Sequence, residues 1–380
     1  LVATQLRRGG RPEAGLSQRH SGKKRLEACV PWVKSLLAGV FGLSEVVDSG
    51  KLRFIVIDGS TVQEPGATAT TYRLHIAIDL INLSLHQVEV TTDKEGENLD
   101  HYTLAAGDVV LIDRGYNQPK TLVPFIDHGG DVVLRYNAHS MNLYEDGEGE
   151  NAGRLVKIDW YTRLRKLGKR PSCVPVWLCH GNKRIQGYLH AIPLPEEKAA
   201  QARRKAKQRA KDKGRNPSTE ALCLSEWVLI FTSLPPEVLC TTTASALYRV
   251  RWQVELVIKR LKSLLNVDEL RAHKGSKLAE LYLHGKLLYA AGLEKMTQSR
   301  FANAKRKLDN PRQLTDWRLW KTVADDLKAG IKACFPVDAR FADDNIKSLS
   351  ERPRKRTLQC LPSPILALLN QCREMALSRV

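Results

Sequence analysis

Between Arg53 and Arg135 the chain sets out short apolar runs in an order that few folds accommodate. Runs at Arg53–Ile57, Tyr72–Ile78 and His86–Val90 read as strands, the last two facing each other across Asn82. A short helix is expected at Asn98–Ala105, a buried strand at Val109–Ile112, a helix at Gln118–Asp127 and a strand at Val132–Arg135. Three strands, helix, strand, helix, strand describes a mixed sheet, antiparallel at its start and parallel afterwards, flanked by helices. The fold class expected is therefore mixed α/β.

From about Asn137 to Leu234 the pattern changes. Short strands are expected at Leu155–Trp160, Val174–Leu178, Arg184–Ala191 and Trp227–Thr232, around a basic run from Glu196 to Arg215 whose composition favours a helix. That run is either a solvated helix face or a contact for phosphates. From Thr242 the chain reads as helical, with one helix over Tyr248–Leu265 and another from Ser276 to about Gln298. The divisions expected are a basic N-terminal arm and helix (1–50), two core segments (51–136 and 235–295) split by a β-rich insertion (137–234), and a helical C-terminal region (296–380). A short helix around Leu26–Val40 closes the first division.

Charge narrows the partner. A net charge of +19 is far more than a small-molecule enzyme needs, whereas a polyanion binder gains attraction and counterion release from it. Nucleic acid is the leading expected partner, ahead of an anionic membrane, with no small-molecule substrate. No apolar run approaches the roughly 18 residues of a membrane span, so no membrane partner is expected. The eight cysteines form no CxxC pair, and reduced thiols are the default for such spacing.

Chemistry is concentrated at three places. Asp58 ends one expected strand and Asp113 ends another, so the two carboxylates converge if those strands are neighbours. A turn is the plainer account of each Asp beside a glycine or arginine. On the helix beginning at Tyr248, the side chains of Tyr248, Arg251, Glu255 and Lys262 fall within about 60° of one another. Val250, Val254, Val257, Leu261 and Leu264 take the opposite face, as a core-facing stripe does. An ordinary Arg–Glu pair on a surface helix is the bland account. Two strand-end carboxylates and a third from a helix would suit oxygen coordination of paired Mg²⁺ ions.

Asp58, Asp113 and Glu255, in this order and setting, resemble the DDE triad of RNase H-like transposases. Tyr248, Arg251, Glu255 and Lys262 match the Tyr-x2-Arg-x3-Glu-x6-Lys signature of the YREK class of bacterial insertion-sequence transposases. The resemblance runs from about Arg53 to Ala290. It implies an RNase H-like core interrupted by a β-rich insertion, and Mg²⁺-dependent cut-and-paste cleavage and strand transfer at element ends. Two Mg²⁺ ions, with Mn²⁺ as substitute, would be held by the three acids. The partner implied is double-stranded DNA, at element ends and target; Tyr248, Arg251 and Lys262 would contact it, and a homodimer would form in the synaptic complex. Trp227, opening the last insertion strand, would stack on an extruded base, with a core role as the alternative. The location implied is the bacterial cytoplasm, at the nucleoid. Members of the class carry a DNA-recognition domain before the first Asp. The chain begins at Leu1, shortly before Asp58, and is expected to be a fragment or processed product. Another RNase H-like nuclease or resolvase, or an inactive DNA-binding derivative, are the alternative readings.

Overall fold

The computed structural model describes residues 29–40, 52–301, 313–333, 350–351 and 363–375. The basic arm before residue 29 lies outside them, as do parts of the C-terminal region. Helix α1 covers 29–40. Strands β1 (Arg53–Val62), β2 (Tyr72–Asp79) and β3 (Ser84–Thr92) follow, then β4 (Asp108–Ile112), α2 (Pro119–Asp127) and β5 (Asp131–Arg135). The next stretch gives β6 (Tyr144–Asp146), β7 (Leu155–Lys157), α3 (Trp160–Leu167), β8 (Ser172–His180) and β9 (Lys183–Pro193). Then come α4 (Glu196–Asp212), α5 (Thr219–Ser225) and β10 (Trp227–Thr232). Five helices follow: α6 (Thr241–Val250), α7 (Gln253–Leu265), α8 (Lys277–Phe301), α9 (Asp316–Ala333) and α10 (Ser363–Met375).

Ten strands form a single sheet in the order β3-β2-β1-β4-β5-β10-β9-β8-β6-β7. The pairs β3–β2 and β2–β1 are antiparallel, whereas β1–β4 and β4–β5 are parallel. The antiparallel start and parallel continuation expected from the sequence are thus present. The strands expected as an insertion extend the same sheet, because β10 pairs antiparallel with β5 through Ile230↔Arg135 and Thr232↔Val133.

Period-two alternation divides the sheet into two faces. Phe54, Val56, Val109, Leu111 and Val133 enter one apolar cluster with α6, α7, α8 and α9. Ile55, Ile57, Val110, Ile112, Val132 and Leu134 enter the other, with α2, α3 and the inner faces of β8 to β10. A strand covered on both faces has no polar side, which is why Val109–Ile112 is uniformly apolar. The β1–β4 register is pinned at its start by a two-toothed ion pair. Arg53 Nε and Nη2 donate to Asp108 Oδ1 and Oδ2 at 2.7 and 2.9 Å, and Asp108 is fully buried.

Four local expectations are corrected. Asp58 does not end its strand, since β1 continues four residues further, paired with β2 to Val62↔Tyr72. The expected helix at Asn98–Ala105 is a single 3-10 turn, Leu99–His101; the Gln87 side chain takes up the His101 carbonyl and the Thr103 N–H instead. The strand expected to reach Trp160 stops at Lys157, because Asp159 accepts from the N–H groups of Tyr161 and Thr162 and starts α3 there. The helix expected over Tyr248–Leu265 is two helices, α6 and α7. At Arg251–Trp252 the ladder tightens to three-residue spacing, with Arg251 N donating to Tyr248 O and Glu255 N to Trp252 O.

No helix among the described residues is long and apolar enough to cross a membrane. Two buried histidines tie stability to pH. Burial brings His75 down to about 3, helped by His101 and Arg73, and brings His190 down to about 4. Both folded values lie below the roughly 6.5 of an unfolded histidine, so the unfolded chain takes up protons first as pH falls. Their contribution is complete above about pH 6.5 and is lost below it, at about 1.4 kcal/mol per pH unit for each residue. Urea unfolding between pH 7 and pH 5 checks this: the double variant His75→Gln, His190→Gln should lose stability more slowly with falling pH than the natural chain.

Candidate active site

Three parallel strands carry polar residues to one edge. Extending the β1–β4 register from Val56↔Leu111 brings Asp58 beside Asp113, and extending β4–β5 from Ile112↔Leu134 brings Asp113 beside Arg135. Alternation then fixes their direction. Asp58 follows Phe54 and Val56, Asp113 follows Val109 and Leu111, and Arg135 follows Val133, so all three are in phase with the face that α6 and α7 cover.

The two helices supply the rest. Arg251, in the break between them, donates Nη1 to Asp58 Oδ2 at 3.2 Å and Nη2 to Glu255 Oε1 at 3.0 Å. One guanidinium therefore bridges the first and third acids expected from the sequence. Asp113 accepts the Gly115 N–H on Oδ1 at 2.7 Å, which shapes the turn after β4. Tyr248 is partly buried, with Arg251 and Arg135 acting on its hydroxyl. Lys262 stands apart from the acids and donates to the Thr61 carbonyl at 3.0 Å, tying α7 to β1.

Electrostatics follow from this crowding. Burial pushes the Asp58 carboxyl above its ordinary range and the nearby Asp113 adds to the push, against Arg251 and the Gly59 N–H. Burial also works against the Arg251 charge, yet Tyr248, Asp58, Asp113 and Glu255 outweigh it and hold its pKa above the usual guanidinium value.

Two site residues escaped the sequence reading. Glu97, in the loop after β3, feels burial first, then Asp113 and Asp58, which together push its carboxyl up against Arg73 and Arg251. Its place could have been found only from the glycines beside the two aspartates, which read as turn residues. Arg135 is half-buried and brought down to about 10 by burial and by Arg114. Its Nη2 donates to the Trp227 carbonyl at 3.3 Å. The signal for Arg135 was available, since it ends a strand parallel to the two that carry Asp58 and Asp113.

Trp227 is 6% exposed and lies within the second apolar cluster. Its ring is covered in this packing, and stacking on an extruded base would require it to be uncovered first.

Hard oxygen donors of one sign suit a divalent cation, and the Arg251 guanidinium already occupies the position of a shared counter-charge between Asp58 and Glu255. The acids suit such an ion in the chemistry of their donors, but among the described residues no group of three or more acidic, histidine or cysteine side chains is assembled that could hold one.

Removing the Trp227 indole should leave a cavity. Trp227→Ala should cost about 3–5 kcal/mol of stability, read as a lower urea midpoint, and impair every activity alike through that destabilisation. An unchanged midpoint would return the indole to a role at the surface.

Residues 49–289 match the family described as "Transposase DDE domain". The InsL protein of insertion sequence element IS186A from Escherichia coli (strain K12) is 30% identical over 285 residues, covering 72% of this chain and 75% of that protein. The transposase for insertion sequence element IS421 from Escherichia coli is 30% identical over 285 residues, covering 72% of this chain and 74% of its own length. The transposase for IS231F from Bacillus thuringiensis subsp. israelensis is 31% identical over 197 residues, 49% of this chain and 41% of that protein. With the matched segment running from β1 into α8 and containing Asp58, Asp113 and Glu255, the chain belongs to the transposase DDE domain family.

Proposed function

We propose that this transposase cuts and rejoins DNA at the ends of an insertion sequence by a Mg²⁺-dependent cut-and-paste reaction, on an RNase H-like core. In this reading 51–136 and 235–295 are the two halves of the core and 137–234 is the insertion. The observation that carries it is the Arg251 bridge, which joins the strand-borne Asp58 to the helix-borne Glu255 although they are far apart in sequence.

Asp58, Asp113 and Glu255 would hold Mg²⁺ (Mn²⁺ as substitute), which would supply Lewis acidity at the scissile phosphate and lower the pKa of the attacking oxygen. The chain's own residues do the rest. Arg251 neutralises Asp58 and Glu255 and so keeps mutually repelling carboxylates in one site. Arg135 and Tyr248, on the same face, offer a cation and a hydroxyl to a strand crossing the edge, where phosphate contacts fix its register. Lys262 holds α7 against β1 and thereby fixes the height of Glu255 above Asp58. The YREK signature and the hairpin intermediate it implies, a homodimer in the synaptic complex and a cytoplasmic location belong to the same proposal.

Helix α4 fits a wider DNA contact. Ala199 is its buried residue, while Arg204, Lys205, Lys207, Arg209 and Lys211 face outward. Arg203 differs, paired with Glu196 and Glu226.

Glu255→Gln should reduce Mg²⁺-dependent nicking of a duplex carrying the element end by at least about 100-fold, since even the outer partners of metal ligands cost 10–100-fold. Affinity for the same duplex should change little, because the cations remain. Mg²⁺-dependent nicking at the natural rate would remove Glu255 from the site, and nicking without strand transfer by the natural chain would favour a simple nuclease.

Changing Arg204, Lys205, Lys207, Arg209 and Lys211 together to Gln should flatten the dependence of log affinity on log salt. Each phosphate that is no longer neutralised lowers the slope by about 0.9 on duplex DNA. An unchanged slope would make α4 a solvated face only.

A further inference from the structure

Two thiols from distant parts of the chain meet at the start of α6. Cys240, the residue before Thr241, is exposed and has the extended backbone of an N-cap (φ −71°, ψ 167°). Oxygen-bearing side chains are preferred there, because they accept from the free N–H groups of the first turn. A thiol is a weak acceptor, so capping does not account for this side chain. Its sulfur meets donors that favour the thiolate. The Thr243 hydroxyl donates to the Cys240 carbonyl at 2.9 Å and lies 3.4 Å from Sγ. That hydroxyl and the N–H groups of Thr243 and Thr242 hold the Cys240 thiol below its ordinary value, against burial.

The second thiol comes from α10, which packs on α6. Cys372 is buried there in the first apolar cluster, with Leu239, Ala244 and Leu247. Its Sγ donates at 3.5 Å to the carbonyl of Val238, two residues before Cys240. Burial pushes the Cys372 thiol up, and the nearby Cys240 adds to the push. A third thiol, Cys173 on β8, is pushed up by burial, then by Glu237 and Cys240. Among the described residues no metal-holding group is assembled from such side chains. The chemistry left to them is redox: an exposed sulfur that forms thiolate readily, beside a buried thiol that stays protonated. The hydrogen bond to the backbone leading into α6 singles out Cys372 over Cys173.

We propose that Cys240 is an oxidation site for hydrogen peroxide and that Cys372 resolves it, so that a disulfide joins α6 to α10. The Cys240 thiolate attacks one peroxide oxygen. An S–O bond forms, the O–O bond breaks, and hydroxide leaves with the electron pair and takes up the proton that the thiol had lost. The Cys372 thiol then leaves the Val238 carbonyl and attacks the sulfenic sulfur. An S–S bond forms, the S–O bond breaks, and water leaves with the Cys372 proton. Two thiols are oxidised to one disulfide, and one peroxide is reduced to two waters. The bond pins the start of the helix that carries Tyr248.

The test treats the reduced full chain with hydrogen peroxide, without DNA or metal. The natural chain should lose a pair of thiols, regain them with dithiothreitol and stay monomeric on a non-reducing gel. Mass spectrometry with fragmentation, which separates Cys240 from Cys223 and Cys372 from Cys360, should find Cys240 joined to Cys372. Cys240→Ser, which keeps a good N-cap, should form no such bond, and Cys173→Ala should form it as the natural chain does. Dimedone, which traps sulfenic acid, should label Cys240 strongly in Cys372→Ala and weakly in the natural chain. Equal labelling of the two would overturn the proposal, as would thiols unchanged by peroxide, a bond from Cys240 to Cys173, or a bond between chains.

Discussion

The register of β1 against β4 is the constraint on which the site depends. At one end, the buried Asp108 accepts two hydrogen bonds from Arg53. Breaking such a pair leaves an uncompensated charge, a cost of about 3–5 kcal/mol. From that anchor the parallel pairing runs Phe54↔Val109, Ile55↔Val110, Val56↔Leu111. Carried two residues further, it brings Asp58 and Asp113 side by side. A slip of one residue would exchange the side chains fitted to the two covered faces and part Asp108 from Arg53. Core packing thus fixes the relative height of the two carboxylates more firmly than any contact they make themselves.

The second constraint is electrostatic. Asp58, Glu97 and Asp113 crowd one another, and burial raises the proton affinity of Asp58 and Glu97 further. Two guanidiniums, Arg251 and Arg73, offset the repulsion, one beside Asp58 and the other beside Glu97. Arg251 does this from the break between α6 and α7, where it reaches a strand residue and a helix residue at once. In the proposed function, the charges that repel one another are those that would receive the cation.

Much of this was legible in the sequence, for reasons that differ by element. The uniformly apolar Val109–Ile112 run announced a strand buried on both faces, and the alternation in Tyr72–Ile78 announced its hairpin. Asp58, Asp113 and Glu255 could be singled out because strand ends and helix spacing are local signals. The Asp58–Gly59 pair misled, since it resembles a turn; inside β1 the glycine gives room to Glu97. Glu97 itself sits in a loop with no periodicity, and its position is set by Gln118 and two glycines distant in sequence. Helix propensity at Asn98–Ala105 yielded to the Gln87 side chain, a tertiary partner that no local pattern reveals. The apolar stripe from Val250 to Leu264 ran through the break at Arg251–Trp252 without a mark, because both helices bury their faces in the same cluster.

If the edge formed by Asp58 and Asp113, with Glu255 above it, is a divalent-cation centre whose repelling charges Arg251 holds together, a metal must bind there. A crystal of the full chain grown with Mn²⁺ and an element-end duplex, measured at the manganese absorption edge, tests this most directly. The account predicts an anomalous peak about 2.1 Å from carboxylate oxygens of Asp58 and Asp113, with Arg251 released from Asp58 and turned toward a phosphate. A peak elsewhere, or none with DNA bound and Arg251 still bridging Asp58 and Glu255, would contradict it.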